Sequence, residues 1–297
     1  MTRNALINGT NLTVSGRFPK TAKLRSEYFV TIDQPTAFID AVKKSGLKAD
    51  VFTFVDHLDD RTPTPQPFQT TDRVAVMPIS TYEHWFEKQL YFKPRNKLRK
   101  SLKAGVVARK VEFSDELIWA IKEIYDETPV RQGKANRHYK KDFETLKREH
   151  STFLDRSDFL GVFYKEEMIG FVKVTHTDSY SVLMNIVAKI CHRDKAPTNA
   201  LVAKTVEVCA ARDSKYLMYG VWGGRGLSDF KAANGFECVE VPRYFVPLTF
   251  KGRLALKLGL HRRLTDILPQ RILRLAGDVR RRLVALHLMK RTTAEQN

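Results

Sequence analysis

The chain has 297 residues, 43% of them hydrophobic, and a formal net charge of +18 at pH 7. That length and apolar content support one large domain or two ordinary ones and exclude a disordered chain. So large a positive balance points to an acidic partner: nucleic acid, an anionic lipid surface or a phosphate-rich ligand.

No stretch approaches the roughly 20 unbroken apolar residues of a membrane span. The opening MTRNALINGTNLTVSGRFPK lacks the apolar run of a signal peptide, so the cytoplasm is the expected compartment. Cys191, Cys209 and Cys238 are too few and too scattered for a disulfide framework or a zinc cluster, and the eight His show no ligand spacing; no metal is expected. The positive charge is local. Residues 88–110 carry Lys88, Lys93, Arg95, Lys97, Arg99, Lys100, Lys103, Arg109 and Lys110 with no acid, and residues 251–291 carry twelve Lys/Arg against Asp266 and Asp278.

In chain order, residues 1–20 read as a loose polar arm. SEYFVTID reads as a strand, QPTAFIDAVKKSG as a helix with Pro near its start and Gly46 past its end, and ADVFTFVDHL and RVAVMPIS as strands separated by a proline-rich loop. STYEHWFEKQL opens with a capping signature, Ser80 with Glu83 three residues on. In KPRNKLRKSLKAG, Pro94 suits the first helical position and Gly105 the end, and Arg95, Arg99 and Lys103 form a cationic stripe at i, i+4, i+8. A strand VVARKVEF and a helix SDELIWAIKEIYDE follow, then the polar run TPVRQGKANRHYKKD and the helix DFETLKREHS. DFLGVFYKEEMIGFVKVTHTDSYSVLMNIVAKI alternates as a three-stranded antiparallel meander. A helix from about Pro197 to Arg212 lays Leu201, Val202, Val206 and Cys209 on the sheet and crosses to the strand KYLMYGVW. A glycine loop, a short helix ending at Gly235 and a closing strand or strand pair complete the pattern. The domains expected are an arm over 1–20, a small α/β half over 21–115, a larger domain over 116–250 and a basic helical tail over 251–297.

From about residue 155 to 250 this order resembles the GNAT acyltransferase superfamily. FLGVFYKEEMIGFVKV matches its central hairpin, HRDKAPTNAL stands at its coenzyme loop, and DFKAANGFE matches its late helix. The family pattern at the loop is Gln/Arg-x-x-Gly-x-Gly/Ala; here Arg193 fills the first position, Ala196 and Thr198 replace the small residues, and Pro197 lies between them. Lys231 stands where many members place a general-acid tyrosine. Upstream, YEHWFEKQLYFKPRNKLRKSLKAGV resembles the middle of the Fem-type peptidoglycan aminoacyltransferases, which carry two GNAT-like halves. The resemblance implies an α/β (α+β) fold: a GNAT-like mixed, mostly antiparallel sheet with a βαβ crossover.

If a thioester lies across this sheet, the strand ending at Ile190 polarises its carbonyl, and Arg193, Lys195 and the amides of Thr198 and Asn199 hold the coenzyme phosphates; the alternative is a solvated capping loop. The run holding Arg131, Gln132, His138 and Tyr139 reads either as an acceptor-binding lid, with His138 as base, or as an exposed linker. YGVWGGRGLSD, at the end of the second parallel strand, offers Tyr219, Trp222 and Arg225 as pocket residues, or its glycines simply serve the turn; Tyr219 and Lys231 are the further catalytic candidates, and with Lys231 in the tyrosine's place the general acid is unassigned. In LPQRILRLAGDVRRRLVALHL an apolar stripe from Leu268 to Leu286 faces away from arginines, which suits either an anionic membrane surface or docking on the protein.

The expected function is transfer of an acyl group from acyl-CoA, acetyl-CoA first, to an amine or hydroxyl of a small molecule, a cell-envelope precursor or a polysaccharide precursor. The alternatives are a Fem-like transferase drawing on aminoacyl-tRNA, and a non-catalytic protein that binds RNA or the inner face of the membrane.

Overall fold

The computed structural model describes residues 3–28, 32, 34–55, 66–131, 133–224 and 226–262. The first elements are β1 (Arg3–Ile7), β2 (Thr10–Ser15), β3 (Thr21–Leu24), α1 (Pro35–Lys44), β4 (Val51–Val55) and β5 (Gln69–Pro78). Then come α2 (Tyr82–His84), continuing as a wide π turn over Trp85–Gln89, α3 (Phe92–Lys103), β6 (Val107–Val111), α4 (Asp115–Asp126), β7 (Val130–Arg131), β8 (Lys134–Ala135) and α5 (Phe143–His150). β9 (Ser157–Tyr164), β10 (Glu167–His176), β11 (Ser181–Ala188), α6 (Pro197–Ala210), β12 (Tyr216–Val221), α7 (Leu227–Ala233), β13 (Glu237–Pro247) and α8 (Phe250–Lys257) complete it. No helix among the described residues is long and apolar enough to cross a membrane.

The described residues divide into two compact units, one of those up to Arg73 together with Glu240 onward and one of those from Val74 to Val239. This division differs from the expected halves, because the closing strand returns to the first unit. The residues read as a loose arm are strands: β1 and β2 form an antiparallel hairpin turning at Asn8 and Gly9, both at positive φ, and β2 pairs with β3. β4 lies between β3, to which it is parallel, and β13, to which it is antiparallel. The strand expected in SEYFVTID is a turn at Ser26–Tyr28, and much of the rest lies outside the described residues.

On one face of this sheet Phe38, Ile39 and Val42 of α1 pack with Phe52 and Phe54 of β4 and Tyr244 of β13. On the other, Val51, Phe245 and Leu256 of α8 cluster. Both faces of β4 are therefore buried, which its apolar run VFTFV requires. Arg243 is set among acids: its Nε donates to Asp72 Oδ2 at 2.9 Å and its two Nη atoms fork onto Glu27 at 3.1 and 2.7 Å. Burial opposes the charge, but these two carboxylates hold the guanidinium above its ordinary pKa.

In the second unit the strand order is β5-β12-β11-β10-β9-β6, antiparallel except for the β11/β12 pair. Leu201, Val202, Val206 and Cys209 of α6 are all fully buried against one face, together with Leu98 of α3 and Trp85. α4 and α5 cover the other face through Ile118, Ile121, Tyr125 and Leu146, against Phe159 and Phe171. The helix starts follow capping chemistry: Ser114 caps α4 and Asp142 caps α5. α2 is capped by Thr81, whose Oγ1 accepts from His84 N at 3.1 Å, so the cap falls one residue after Ser80. β13 is a single strand, and the long tail is described only as far as α8 and Arg262; the expected helix over 268–288 lies outside the described residues.

Arg243→Ala should lower stability by about 3–5 kcal/mol, because it removes the guanidinium that the buried Asp72 carboxylate shares with Glu27. Urea denaturation followed by circular dichroism checks this; a midpoint matching the parent would contradict it.

Candidate functional site

The site is made where the two parallel strands part. β11 and β12 pair at only two positions, Ser181 with Leu217 and Val182 with Met218. Immediately beyond, each strand is bulged. On β11, Asn185 stands opposite Lys173 and Leu183 opposite Val174, so Met184 is an extra residue. On β12, Met218 stands opposite Val76 and Val221 opposite Val74, which puts Tyr219 and Gly220 against a single partner residue. Gly220 takes φ +56, a left-handed conformation that costs glycine little. Bulges bend the strands that carry them, and beyond Val182 β11 shows no further pairing with β12 among the described residues. Ile190 and Val221, 46% and 45% exposed, stand at the two strand ends.

Lys231 reaches this opening from α7. It is 2% exposed, and its Nζ donates to Tyr219 O and Val221 O, each at 2.6 Å, so it spans the β12 bulge. The ammonium also lies 4.2 Å from the centre of the Tyr219 ring. An ammonium has three donors, and two of them meet these carbonyls. Burial pulls its pKa down to about 8, and burial pushes that of Tyr219 up to about 12. Near neutral pH Lys231 is thus a charged and unusually acidic proton donor, whereas Tyr219 stays protonated. Trp222 is partly buried against the core just beyond the strand; Arg225 and Gln132 lie outside the described residues.

The loop from Ile190 to Asn199 is built differently from a phosphate cradle. Ile190 N and Cys191 N donate to the two oxygens of Glu127 at 2.7 and 2.8 Å. Burial alone would raise the pKa of Glu127, but these hydrogen bonds, together with the charge of Arg131, hold it below its ordinary value. Further on, Arg193 N, Lys195 N, Ala196 N and Asn199 N donate to carbonyls of the loop itself, and Pro197 has no N–H. That leaves Asp194 and Thr198 amides, among residues 193–199, to meet a phosphate. Of the side chains, Arg193 is exposed, Lys195 pairs with Asp194 at 3.2 Å and lies over the Tyr164 ring, and Asn199 is buried. Ala196 takes the left-handed conformation, φ 51 and ψ 47, where the family pattern has glycine.

The polar run 128–142 is fastened down. Arg131 donates to Ala188 O at 2.9 Å, Ile124 O at 2.7 Å and Glu127 at 3.1 Å. Its guanidinium therefore braces the end of β11. Asn136 Nδ2 donates to Tyr125 O and Thr128 O. His138 stacks on Tyr125 with ring centres 4.4 Å apart, and burial, with Lys141 and Arg137 nearby, pulls its pKa down to about 4. So weak a base suits proton abstraction poorly at neutral pH. Tyr139 carries Lys140 Nζ 5.5 Å from its ring centre. The structure thus joins Tyr219 and Lys231 at the strand opening and sets His138 in a separate packing of α4 and α5.

Glu127 is the site residue that sequence reasoning passed over, and its one signal was the i, i+4 pairing with Arg131 on a helix end. A second constellation was also invisible: Ser181 Oγ lies 2.7 Å from His176 Nδ1, and His176 Nε2 lies 3.1 Å from Asp158 Oδ2. It has the order of a hydrolase triad but not its access. Ser181 is fully buried with its Oγ also bonded to Ser214, and Asp158 is further paired with Lys110 and Arg212. The network ties β9, β10 and β11 together at the end away from the opening.

Beside the loop, α3 packs on α6 and on the Arg193–Lys195 turn. Arg95 of the expected stripe caps Glu87 O and Leu90 O, at 2.9 and 2.8 Å, while Lys93, Lys97, Arg99, Lys100 and Lys103 remain exposed.

No protein-family model and no curated protein matches the chain. Solved structures do. FemX superposes with a TM-score of 0.62 at 12% identity, covering 86% of this chain and 89% of that one. The C-terminal domain (DUF2156) of a putative lysylphosphatidylglycerol synthetase from Agrobacterium fabrum gives 0.54 at 12% identity over 86% and 87%, and L-PGS from Bacillus licheniformis gives 0.52 at 12% over 88% and 90%.

Two outcomes are expected. Ala196→Gly should stabilise the chain by up to about 1 kcal/mol by removing a Cβ from a left-handed residue, read as a raised Tm. His138 and the buried His150 both have pKa values pulled down to about 4, so the folded state refuses protons that the unfolded chain accepts. Their contribution is complete above pH 6.5 and is lost as pH falls towards 4. His138→Phe, which keeps the stack on Tyr125, should flatten the fall in denaturation midpoint between pH 7 and pH 5.

Proposed function

Because the chain has a GNAT-like fold related to that of the Fem-type transferases, we propose that it is an acyltransferase that takes an aminoacyl group from aminoacyl-tRNA. The acceptor is an amine or hydroxyl of a cell-envelope precursor. The observation that carries this reading is the strand opening with Lys231 held across its edge by Tyr219 O and Val221 O.

In the opening, the donor ester lies along the free edge of β11, whose N–H groups polarise its carbonyl. The acceptor attacks that carbon, the new C–N or C–O bond forms, and the ester C–O bond to the ribose breaks. The departing ribose oxygen takes a proton from Lys231, and the acceptor's proton leaves through water. No covalent enzyme intermediate is needed, and the buried Ser181 takes no part.

Two features favour an RNA-borne donor over a coenzyme thioester. The loop keeps few amides for a pyrophosphate, since most already donate within it. The exposed cations of α3 flank the same loop, as backbone phosphates require. The acyl-CoA reading, with Arg193 and Thr198 as its phosphate contacts, is the competitor. The Agrobacterium fabrum protein, named a putative lysylphosphatidylglycerol synthetase, agrees with an envelope acceptor.

With an aminoacyl-tRNA donor, Lys231→Met should lower kcat by roughly 10²–10⁴ with a much smaller change in KM. The kcat of the parent should fall as pH rises through about 8, where Lys231 loses its proton, and that limb should vanish in the variant. A pH profile that the substitution leaves in place would remove Lys231 as the acid. Thermal unfolding separates the donors. Acetyl-CoA at 100 times its Kd would stabilise by roughly 2.7 kcal/mol if it bound; no shift is expected, whereas tRNA binding should weaken steeply with salt.

A further inference from the structure

α8 is fixed to its unit so that one face has no choice but to look out. Thr249 caps it, accepting from Gly252 N at 3.0 Å and donating to Asp50 Oδ1 at 3.0 Å. Gly252 is pressed on β4's approach so closely that a Cβ there would lie 1.9 Å from Asp50 O. Ala255 and Leu256 are buried beneath the helix. With that side committed, Phe250, Leu254 and Leu258 follow one another at i, i+4, i+8 on the outer side, 82%, 46% and 66% exposed, and Leu260 continues them at 51%.

Such a stripe is unusual on a solvated surface, and its surroundings are specific. Lys251, Arg253, Lys257 and Arg262 are exposed around it, and residues 249–262 contain no acid. Apolar side chains projecting between cations match the interfacial region of a bilayer, where acyl chains take the former and lipid phosphates the latter. A second copy of the chain fits less well, since it would bring cations against cations. Four side chains also present far less than the roughly 1,200 Å² that a stable protein interface buries.

We propose that α8 is a membrane-docking element: Phe250, Leu254 and Leu258 insert into an anionic bilayer surface while Lys251, Arg253 and Lys257 meet lipid phosphates. This goes beyond the acyl-transfer reading and stands without it.

Co-sedimentation of the full chain with phosphatidylcholine vesicles, with and without phosphatidylglycerol, tests the proposal. Binding is expected only with the anionic lipid and should weaken as salt rises. The combined variant F250S/L254S/L258S changes exposed side chains alone, so its denaturation midpoint should match the parent; its vesicle affinity should fall by roughly tenfold or more. Lys251→Gln with Lys257→Gln should cost about fivefold per charge. Phe250→Trp adds a reporter whose emission should shift to the blue when anionic vesicles are added. Unchanged binding of the triple variant would assign the affinity to other basic residues and overturn the proposal, as would a total lack of vesicle binding. A Phe250→Trp emission already blue-shifted without lipid, or a dimer that the triple variant dissolves, would show the stripe covered by protein and likewise overturn it.

Discussion

The separation of β11 from β12 is the constraint on which the second unit depends. Parallel strands ordinarily hold each other along their length, and these two share only two paired positions before a bulge in each sends them apart. An opening of this kind exposes backbone hydrogen-bonding groups that would otherwise be satisfied, and an unbraced strand end would collapse to pair them. Each strand is therefore held from outside. Lys231 gathers the carbonyls of the β12 bulge, and Arg131 takes Ala188 O at the end of β11 while Glu127 takes the next amides. A cation serves the carbonyls and an anion serves the amides, each matched to what the strand leaves bare.

The two buried lysines of this unit show how the same burial leads to different chemistry. Lys173 and Lys231 are 1% and 2% exposed, and burial pulls both down to about 8. Lys173 spends its donors on His150 O and on Thr152 O and Oγ1, which pins the end of α5 to β10. Lys231 has two carbonyl partners and stands at the opening. A lowered pKa is therefore no mark of function by itself; the place of each residue in the sheet distinguishes the two.

Much of this fold could be read from the chain. Pro197 and Gly105 marked a helix start and a stop, and the alternation through residues 158–190 marked the meander. The βαβ crossover followed from the apolar face of α6. Local signals failed where the determinant was distant or overlooked: Asn8-Gly9 is a strong hairpin turn inside the stretch read as an arm, and residues 237–247 close a sheet begun some two hundred residues earlier. At the site, Lys231 stood out at the position that resembles the family's late helix and Tyr219 by its place at the end of the second parallel strand, and the structure brings the two into contact. The fates of Arg131 and His138 were not, since a polar run looks the same in sequence whether its donors face solvent or are spent on helix ends and strand ends.

The charge of the chain resolves into surfaces of different character. On α3, Lys93, Lys97, Lys100 and Lys103 stand exposed beside Tyr91, Phe92 and Leu102, and Arg99 lies over Phe86. On α8 the cations are fewer and the exposed apolar stripe runs continuously between them. Polyanions reward charge density, whereas a bilayer rewards charge only next to something that can leave water. The spacing of the exposed apolar side chains, at i, i+4, i+8 on α8, differs between the two surfaces in a way the net +18 does not show. It also explains why composition alone pointed equally to nucleic acid and to lipid.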